Sequence, residues 1–144
     1  MMTETEFKQL ETLAAQGDKD AQFRLAVAYT YGDGVKDDND KAFELYTLAA
    51  KQGHIEAQYN LGICYHYGYG TDENLAKAYD LYLAAAEAGY GKGMELIGRF
   101  YNRGIYVDKD RKSAEIYLLK AMQSNDPEAA AEAEKEWAYI PGDE

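Results

Sequence analysis

Hydrophobic and polar positions along this chain follow the spacing of α-helices. Ala57, Leu61 and Tyr65 recur at four-residue steps, so they share one face of a helix. The same pattern returns after 36 residues in both directions, which indicates an internal repeat built from helical units. The repeated columns are Gly17, Gly53 and Gly89; Ala21, Ala57 and Gly93; Leu25, Leu61 and Ile97; and Tyr29, Tyr65 and Tyr101, which Trp137 continues.

Each repeat is predicted to contain two helices that are separated by a glycine-rich turn. Asp18 is a good N-cap for the first helix, because its carboxylate accepts hydrogen bonds from free backbone N–H groups. Gly32 can adopt the left-handed backbone angles that the end of a helix requires. The predicted helices cover residues 19–31 and 38–51, 55–67 and 74–87, and 91–103 and 110–123.

One further helix is predicted on either side of the three repeats. Phe7, Leu10 and Leu13 recur at three-residue steps and form one helical face. Asp126 and Pro127 open the last helix, since aspartate caps it and proline suits the first helical position. We therefore expect a single solenoid domain over residues 1–144, with an N-terminal cap helix at 1–16, repeats at 17–52, 53–88 and 89–124, a C-terminal cap helix at 125–138 and a tail at 139–144.

Residues 37–40 form an acidic run that allows two interpretations, a calcium loop or the first turn of a helix. Asp38 shares its column with Asn74 and Asp110, and all three are N-cap-forming residues. Acidic residues in a first turn also suit the helix dipole. The glycine and the bidentate glutamate of an EF-hand loop are not at their offsets. We interpret the run as a helix start and expect no metal and no cofactor.

The net charge of the chain limits its partners. The 144 residues carry a charge of −11, which would repel nucleic-acid phosphates and anionic lipid. The N-terminus has no apolar run, and no stretch approaches the ~20 apolar residues of a membrane span. We therefore expect a cytoplasmic protein that binds neither nucleic acid nor membrane.

The sequence predicts no catalytic site. Cys64 is the only cysteine, so no internal disulfide can form, and it is expected to be a small buried residue. Cys64 and His66 are two residues apart on a helix and point to different faces. Neither Ser113 nor Ser124 lies in a nucleophile elbow.

The repeated columns resemble the Sel1-like repeat family, a relative of the tetratricopeptide repeat. The first repeat matches well apart from Ala26, which stands where glycine is usual. The substituted positions of the looser third repeat are Gly93, Met94, Tyr106 and Ser113. The matching residues of the second repeat are Ala50, Gly53, Ala57, Gln58, Leu61, Gly62, Tyr65, Gly68, Gly70, Lys77, Ala78, Tyr82, Ala85 and Ala86.

This resemblance implies an all-α fold, a right-handed superhelical solenoid of antiparallel helix pairs, and a role in assembling other proteins. Many exported members of the family carry a cysteine pair in each repeat, and some of those were described as binding or hydrolysing β-lactams. This chain lacks those cysteines, which weakens any transfer of that activity.

The first helix of each pair lines the concave surface in tetratricopeptide-like solenoids, and one set of columns would line it here. In the third repeat these columns hold Glu95, Arg99 and Arg103, and unpaired buried charge is costly. We therefore expect this face to be open to solvent, at least in that repeat. The candidate partner-binding residues are Phe23, Val27, Tyr31, Tyr59, Ile63, His66, Tyr67, Lys92, Arg99, Asn102 and Arg103.

The expected groove is aromatic in its first two repeats and basic in its third. Residues 92–120 contain seven Lys and Arg against four Asp and Glu, a net charge of +3. A partner could bury apolar side chains on the aromatic residues and place a carboxylate near Arg99 and Arg103, because arginine binds carboxylates with two parallel hydrogen bonds. Alternatively, the aromatic stripe packs against the next repeat and the arginines pair with the chain's own acids.

The function that these features favour is a non-catalytic adaptor or scaffold that binds another protein or a peptide. An immunity or inhibitor protein that neutralises a basic toxin is the alternative, and it would suit the acidic charge. That alternative depends on analogy at the level of the fold.

Overall fold

The computed structural model describes residues 1–142 of the chain. Over these residues it contains eight α-helices and no β-strand, and none of the helices combines the length and apolarity needed to cross a membrane. The helices are α1 (Glu4–Ala15), α2 (Lys19–Tyr31), α3 (Asn39–Lys51), α4 (Ile55–Tyr67), α5 (Leu75–Glu87), α6 (Gly91–Arg103), α7 (Arg111–Met122) and α8 (Pro127–Trp137).

The predicted helix starts are confirmed by their capping hydrogen bonds. Asp18 accepts from the backbone N–H of Ala21 at 2.9 Å, and Asn74 accepts from that of Lys77 at 3.0 Å. Asp38 caps α3 in the same way, so the acidic run at 37–40 is the helix start rather than a calcium loop. These oxygens satisfy N–H groups that have no partner within the helix.

Left-handed glycines end the first helix of every repeat. Gly32, Gly68 and Gly104 follow α2, α4 and α6 with φ of 69°, 74° and 66°. Their N–H groups donate to carbonyls of the last helical turn, which closes each helix and reverses the chain toward its partner helix. A residue with a β-carbon adopts these angles at a cost of about 1–2 kcal/mol.

The chain folds into two compact units, Met1–Ala78 and Tyr79–Glu144. In the first unit, α2 packs against α1 and α3, and α3 also packs against α4. Gln22 is buried and donates to the Ala14 carbonyl at the end of α1. Gln58, one repeat later, donates to the Ala50 carbonyl at the end of α3. The recurring glutamine therefore ties the first helix of repeats one and two to the end of the helix before it.

The second unit is built around α6, which packs against both α7 and α8. A β-carbon on Gly98 would lie 2.7 Å from Leu118 Cδ2, so a larger residue here would force the Leu118 side chain of α7 to shift. Buried Leu118, Ala121 and Ala133 form a core cluster that partly buried Trp137 covers. The division into one domain with the expected cap and repeat bounds stays a prediction.

Tyr106 is the one residue other than glycine with positive φ in the described part of the chain. Its φ is 63°, while the equivalent residues of the earlier repeats are Gly34 at 76° and Gly70 at 73°. The Tyr106 ring lies 5.4 Å from that of Tyr79, measured between centroids, and this contact offsets part of the backbone strain. The third repeat thus keeps the turn without its glycine.

Replacing Gly70 by alanine should destabilise the protein more than replacing Gly53. Both have positive φ, but a β-carbon on Gly70 would overlap the Asn39 carbonyl oxygen and lie 2.8 Å from Phe43 Cβ, whereas one on Gly53 would meet nothing within 4 Å. We expect losses of unfolding free energy of about 2–4 kcal/mol for Gly70→Ala and about 1 kcal/mol for Gly53→Ala, measured by urea denaturation. Equal losses would contradict the close approach at Gly70.

Candidate functional site

The most exposed of the predicted partner-binding residues in the first unit are Tyr31 and Tyr67. They end α2 and α4, each directly before a left-handed glycine, and are 79% and 53% exposed. They occupy the same column of consecutive repeats. A large aromatic ring is therefore presented to solvent at the same place on the first helices of two successive repeats.

The other predicted residues of the first unit are less accessible. Phe23 is half-buried because its ring stacks on His54, with centroids 4.5 Å apart, and tilts against Tyr46. Val27, Tyr59 and Ile63 are also half-buried. For Phe23 the structure agrees with the alternative that this stripe packs against the next repeat, since His54 caps α4 of that repeat.

An aromatic stack covers the end of α4. The His66 and Tyr67 rings are nearly parallel with centroids 4.3 Å apart, and Tyr69 follows Tyr67 at 5.7 Å. Tyr69 is exposed and lies in the turn between two glycines. The sequence analysis did not select Tyr69, although a tyrosine flanked by Gly68 and Gly70 in a turn was the available signal.

The side chain packed over each helix-ending glycine also changes along the chain. A β-carbon on Gly68 would lie 3.2 Å from Glu73 Cγ, and one on Gly104 would lie 3.0 Å from Lys109 Cγ. A β-carbon on Gly32 would lie 3.6 Å from Asp37 Cβ. Asp37, Glu73 and Lys109 share one column of the 36-residue repeat, so this position is acidic twice and then basic.

Three of the predicted partner-binding residues of the second unit contact the chain's own acids. Arg103 binds Glu136 through two hydrogen bonds, from Nε at 2.8 Å and Nη2 at 2.7 Å. Asn102 donates to the same Glu136 carboxylate at 3.0 Å. Lys92 lies 3.5 Å from Glu128. All these acids belong to α8, so the C-terminal helix supplies the carboxylates that were expected from a partner.

Arg99 is likewise engaged within the unit. It donates a hydrogen bond to Glu95 one turn earlier and lies 3.8 Å from Glu132 of α8. Its Nε is buried, and no described residue accepts from it. The expectation of an open face is wrong for Glu95, which is only 4% exposed, because Arg99 and α8 cover it.

The pKa values of the two buried carboxylates of this cluster are shifted in opposite directions. Burial raises the pKa of Glu95, and Arg99 compensates only in part. Burial also acts to raise the pKa of Glu136, but the hydrogen bonds from Arg103 and Asn102 outweigh it, and the pKa is lowered. Glu136 is therefore the more firmly ionised carboxylate, although it is only 3% exposed.

A cavity of about 440 Å³ opens beside this cluster. Its lining is charged or polar except for one alanine, so it lacks the apolar walls typical of small-molecule sites. The lining residues are Arg99, Arg103, Glu132, Lys135, Glu136, Ala138 and Tyr139.

In the described part of the chain, Cys64 and His54 have structural roles. Cys64 is buried, and burial raises its thiol pKa to about 11, as expected for a packing residue. His54 accepts the Ala57 N–H through Nδ1 and lies 3.3 Å from Asp20 through Nε2, so it serves as a helix cap. No group of three metal-ligating side chains occurs among residues 1–142.

Comparison with known proteins explains the repeat. The sequence profile of the Sel1 repeat matches residues 19–54, 55–90 and 91–126. The chain belongs to the Sel1 repeat family. Each Sel1 repeat defined in this way starts with the first helix of a pair, two residues after the expected boundary.

Solved structures share this fold. The crystal structure of a Sel1 repeat protein from Oxalobacter formigenes is 33% identical, with a TM-score of 0.76 over 89% of this chain and 96% of that one. The protective antigen c5321 of uropathogenic Escherichia coli displays an SLR fold and is 27% identical, with a TM-score of 0.85. That match covers 96% of this chain but only 30% of the antigen.

These matches confirm the predicted fold class, an all-α solenoid of three helix-pair repeats with a helix at either end. A sequence search among curated proteins finds no significant match.

Glu136→Gln should destabilise the protein at neutral pH by about 1–3 kcal/mol, because the charge-assisted hydrogen bonds from Arg103 and Asn102 are lost. The folded pKa of Glu136 is lowered, so its stabilisation is present above the unfolded value and disappears as pH falls through the folded value. Urea denaturation of both proteins over a range of acidic pH measures this. A stability difference that does not change with pH would contradict the assignment.

Glu95→Gln provides the matched control, since it makes the same charge change in the same cluster. The pKa of Glu95 is raised, so ionisation costs folded-state stability as pH rises from the unfolded value through the folded one. We expect a smaller loss at neutral pH than for Glu136→Gln.

Cys64 should resist alkylation in the folded protein. Its thiol is buried and its raised pKa leaves little thiolate, the reactive form, at mildly alkaline pH. Iodoacetamide labelling followed by mass spectrometry should show modification only when urea is added. Rapid labelling without denaturant would show that the thiol is accessible.

Proposed function

We propose that this protein is a non-catalytic interaction module that binds a partner protein or peptide through the exposed ends of α2 and α4. Sel1 repeats generally act as scaffolds for protein–protein interactions. The observation that supports this particular surface is the pair Tyr31 and Tyr67, exposed at equivalent positions of consecutive repeats. The cytoplasmic location expected from the sequence stays a prediction.

Exposed tyrosines at a fixed spacing suit this role. A tyrosine ring offers a large contact area and a hydroxyl group, and few of its torsions have to be fixed on binding. Aromatic residues are therefore frequent among the side chains that dominate interface energies. The helix ends that carry Tyr31 and Tyr67 are held by capped turns, so both rings are attached to rigid backbone.

The ion pairs of the second unit change the expected role of its arginines. A partner carboxylate at Arg103 would have to displace Glu136, which already makes two hydrogen bonds to that guanidinium. The proposal therefore places the main contact on the aromatic residues of Met1–Ala78. Arg99, Asn102, Arg103 and Lys92 hold α8 in this proposal.

An inhibitor of a basic protein is a second candidate. The chain carries a net charge of −11, which would attract a cationic partner. This candidate uses the same surface, and it differs in the identity of the partner.

Site-directed photo-crosslinking tests the proposed surface. A photoreactive phenylalanine analogue placed at Tyr31 or Tyr67 should form a covalent adduct with a discrete partner in the source lysate. The same analogue at Leu48, which is exposed on α3 of the same unit, is the matched control and should not. Adducts should disappear when unmodified protein is added in excess.

Equal crosslinking from Leu48, or none from either tyrosine, would contradict the proposal. A second readout is the double variant Tyr31→Ala, Tyr67→Ala, which should lose the partner identified by crosslinking while Leu48→Ala retains it. Circular dichroism of both variants checks that the helices remain.

A further inference from the structure

We infer that the end of α4 recognises lysine or arginine side chains of a basic protein segment. This inference rests on the proposed function and names the chemistry of its partner. Three features of the α4 end support it: an aromatic stack, a carboxylate over the helix-ending glycine and the negative end of the helix dipole.

The stack supplies aromatic faces. His66, Tyr67 and Tyr69 lie in sequence with centroid separations of 4.3 and 5.7 Å, and Tyr67 and Tyr69 are both exposed. The face of a tyrosine ring carries negative charge density, so a cation placed over it is attracted. Lys77 over Tyr65 and Lys41 over Tyr29 already make this contact within the unit, at 5.2 and 5.3 Å.

An acidic side chain packs against the turn that follows α4. The Glu73 side chain covers Gly68, the residue between Tyr67 and Tyr69. Asp72 precedes it, and both acids are exposed. No ion pair found among residues 1–142 uses Asp72 or Glu73. A guanidinium or ammonium group over the ring could therefore bind a carboxylate at the same time.

The helix itself adds to the attraction. Tyr67 is the last residue of α4, and the C-terminal end of a helix carries a partial negative charge. The surrounding unit has the same sign, because Met1–Ala78 contains 13 Asp and Glu against seven Lys and Arg. Anionic partners are repelled from this place, and cationic segments are attracted.

The repeat in the chain provides an internal comparison. The α2 end carries Tyr31 with Asp37 beside Gly32, but Thr30 and Asp33 stand where the α4 end has His66 and Tyr69, so the aromatic stack is not repeated. The α6 end carries Arg103 with Lys109 beside Gly104, so the same two positions are both cationic. Two repeats therefore combine tyrosine with an acid, and the third reverses the charge.

Binding of two synthetic peptides to the full chain tests the inference. One peptide alternates arginine and lysine with glycine and serine, and the other has glutamine in place of every cation. Isothermal calorimetry should detect binding of the cationic peptide alone, and the affinity should fall as salt is raised.

Variants assign the binding to the α4 end. Tyr67→Leu keeps an apolar side chain but removes the middle ring of the stack, and Glu73→Gln removes the charge. Each variant should lower the affinity for the cationic peptide about three- to tenfold. Glu73→Lys, which copies the third repeat, should abolish binding. The matched controls, Glu44→Gln on α3 and Tyr139→Leu in the second unit, should change the affinity less than twofold, about the precision of the measurement.

Unchanged affinity in Tyr67→Leu and Glu73→Gln would overturn the inference, as would equal binding of the glutamine peptide. The outcome is separable from that of the proposed function. If Glu73→Lys still binds the crosslinked partner, the proposed interaction module is supported and the inference of a cationic partner is contradicted. If neither tyrosine position forms a crosslink, the proposed function as an interaction module is itself contradicted.

Discussion

The left-handed glycine at the end of each first helix is the constraint on which this structure depends. A helix that packs against its successor must stop, reverse and leave room for the next element, and Gly32, Gly68 and Gly104 do this at a fixed spacing. The residue before each glycine is thereby left at the exposed tip of a helix. The same backbone feature that builds the repeat creates the positions where Tyr31, Tyr67 and Arg103 are presented.

The residue at each helix tip decides whether the tip is open to solvent or bound within its unit. In Met1–Ala78 the tips carry tyrosine with an acid packed over the glycine, and these side chains face solvent. In Tyr79–Glu144 the tip carries Arg103, which binds buried Glu136 of the last helix. Equivalent positions of one repeat thus serve as an open surface in one unit and as an attachment for a terminal helix in the other.

The attachment of α8 illustrates why a buried ion pair needs good geometry. Ionised Glu136 loses its hydration on burial, and the hydrogen bonds of Arg103 and Asn102, together with the charges of Arg103 and Arg99, keep its pKa low. Glu95 lacks such a set of donors, and burial dominates its pKa. A terminal helix of a repeat protein must cover the core with one face and expose a polar face to solvent. Helix α8 meets this requirement with small alanines on its buried face and acids along its edge.

The sequence by itself determined the helices, their caps and the family. The 36-residue columns, the N-cap residues and the turn glycines act locally, through hydrogen bonds and backbone angles that depend on few neighbours. Only the tertiary structure decided which charged residues are available for contact with a partner. Arg103 and Glu136 are 33 residues apart, and no local pattern shows that their side chains meet. The aromatic stack at Tyr67 and the acid over Gly68 also depend on how a turn folds back, which spacing alone does not specify.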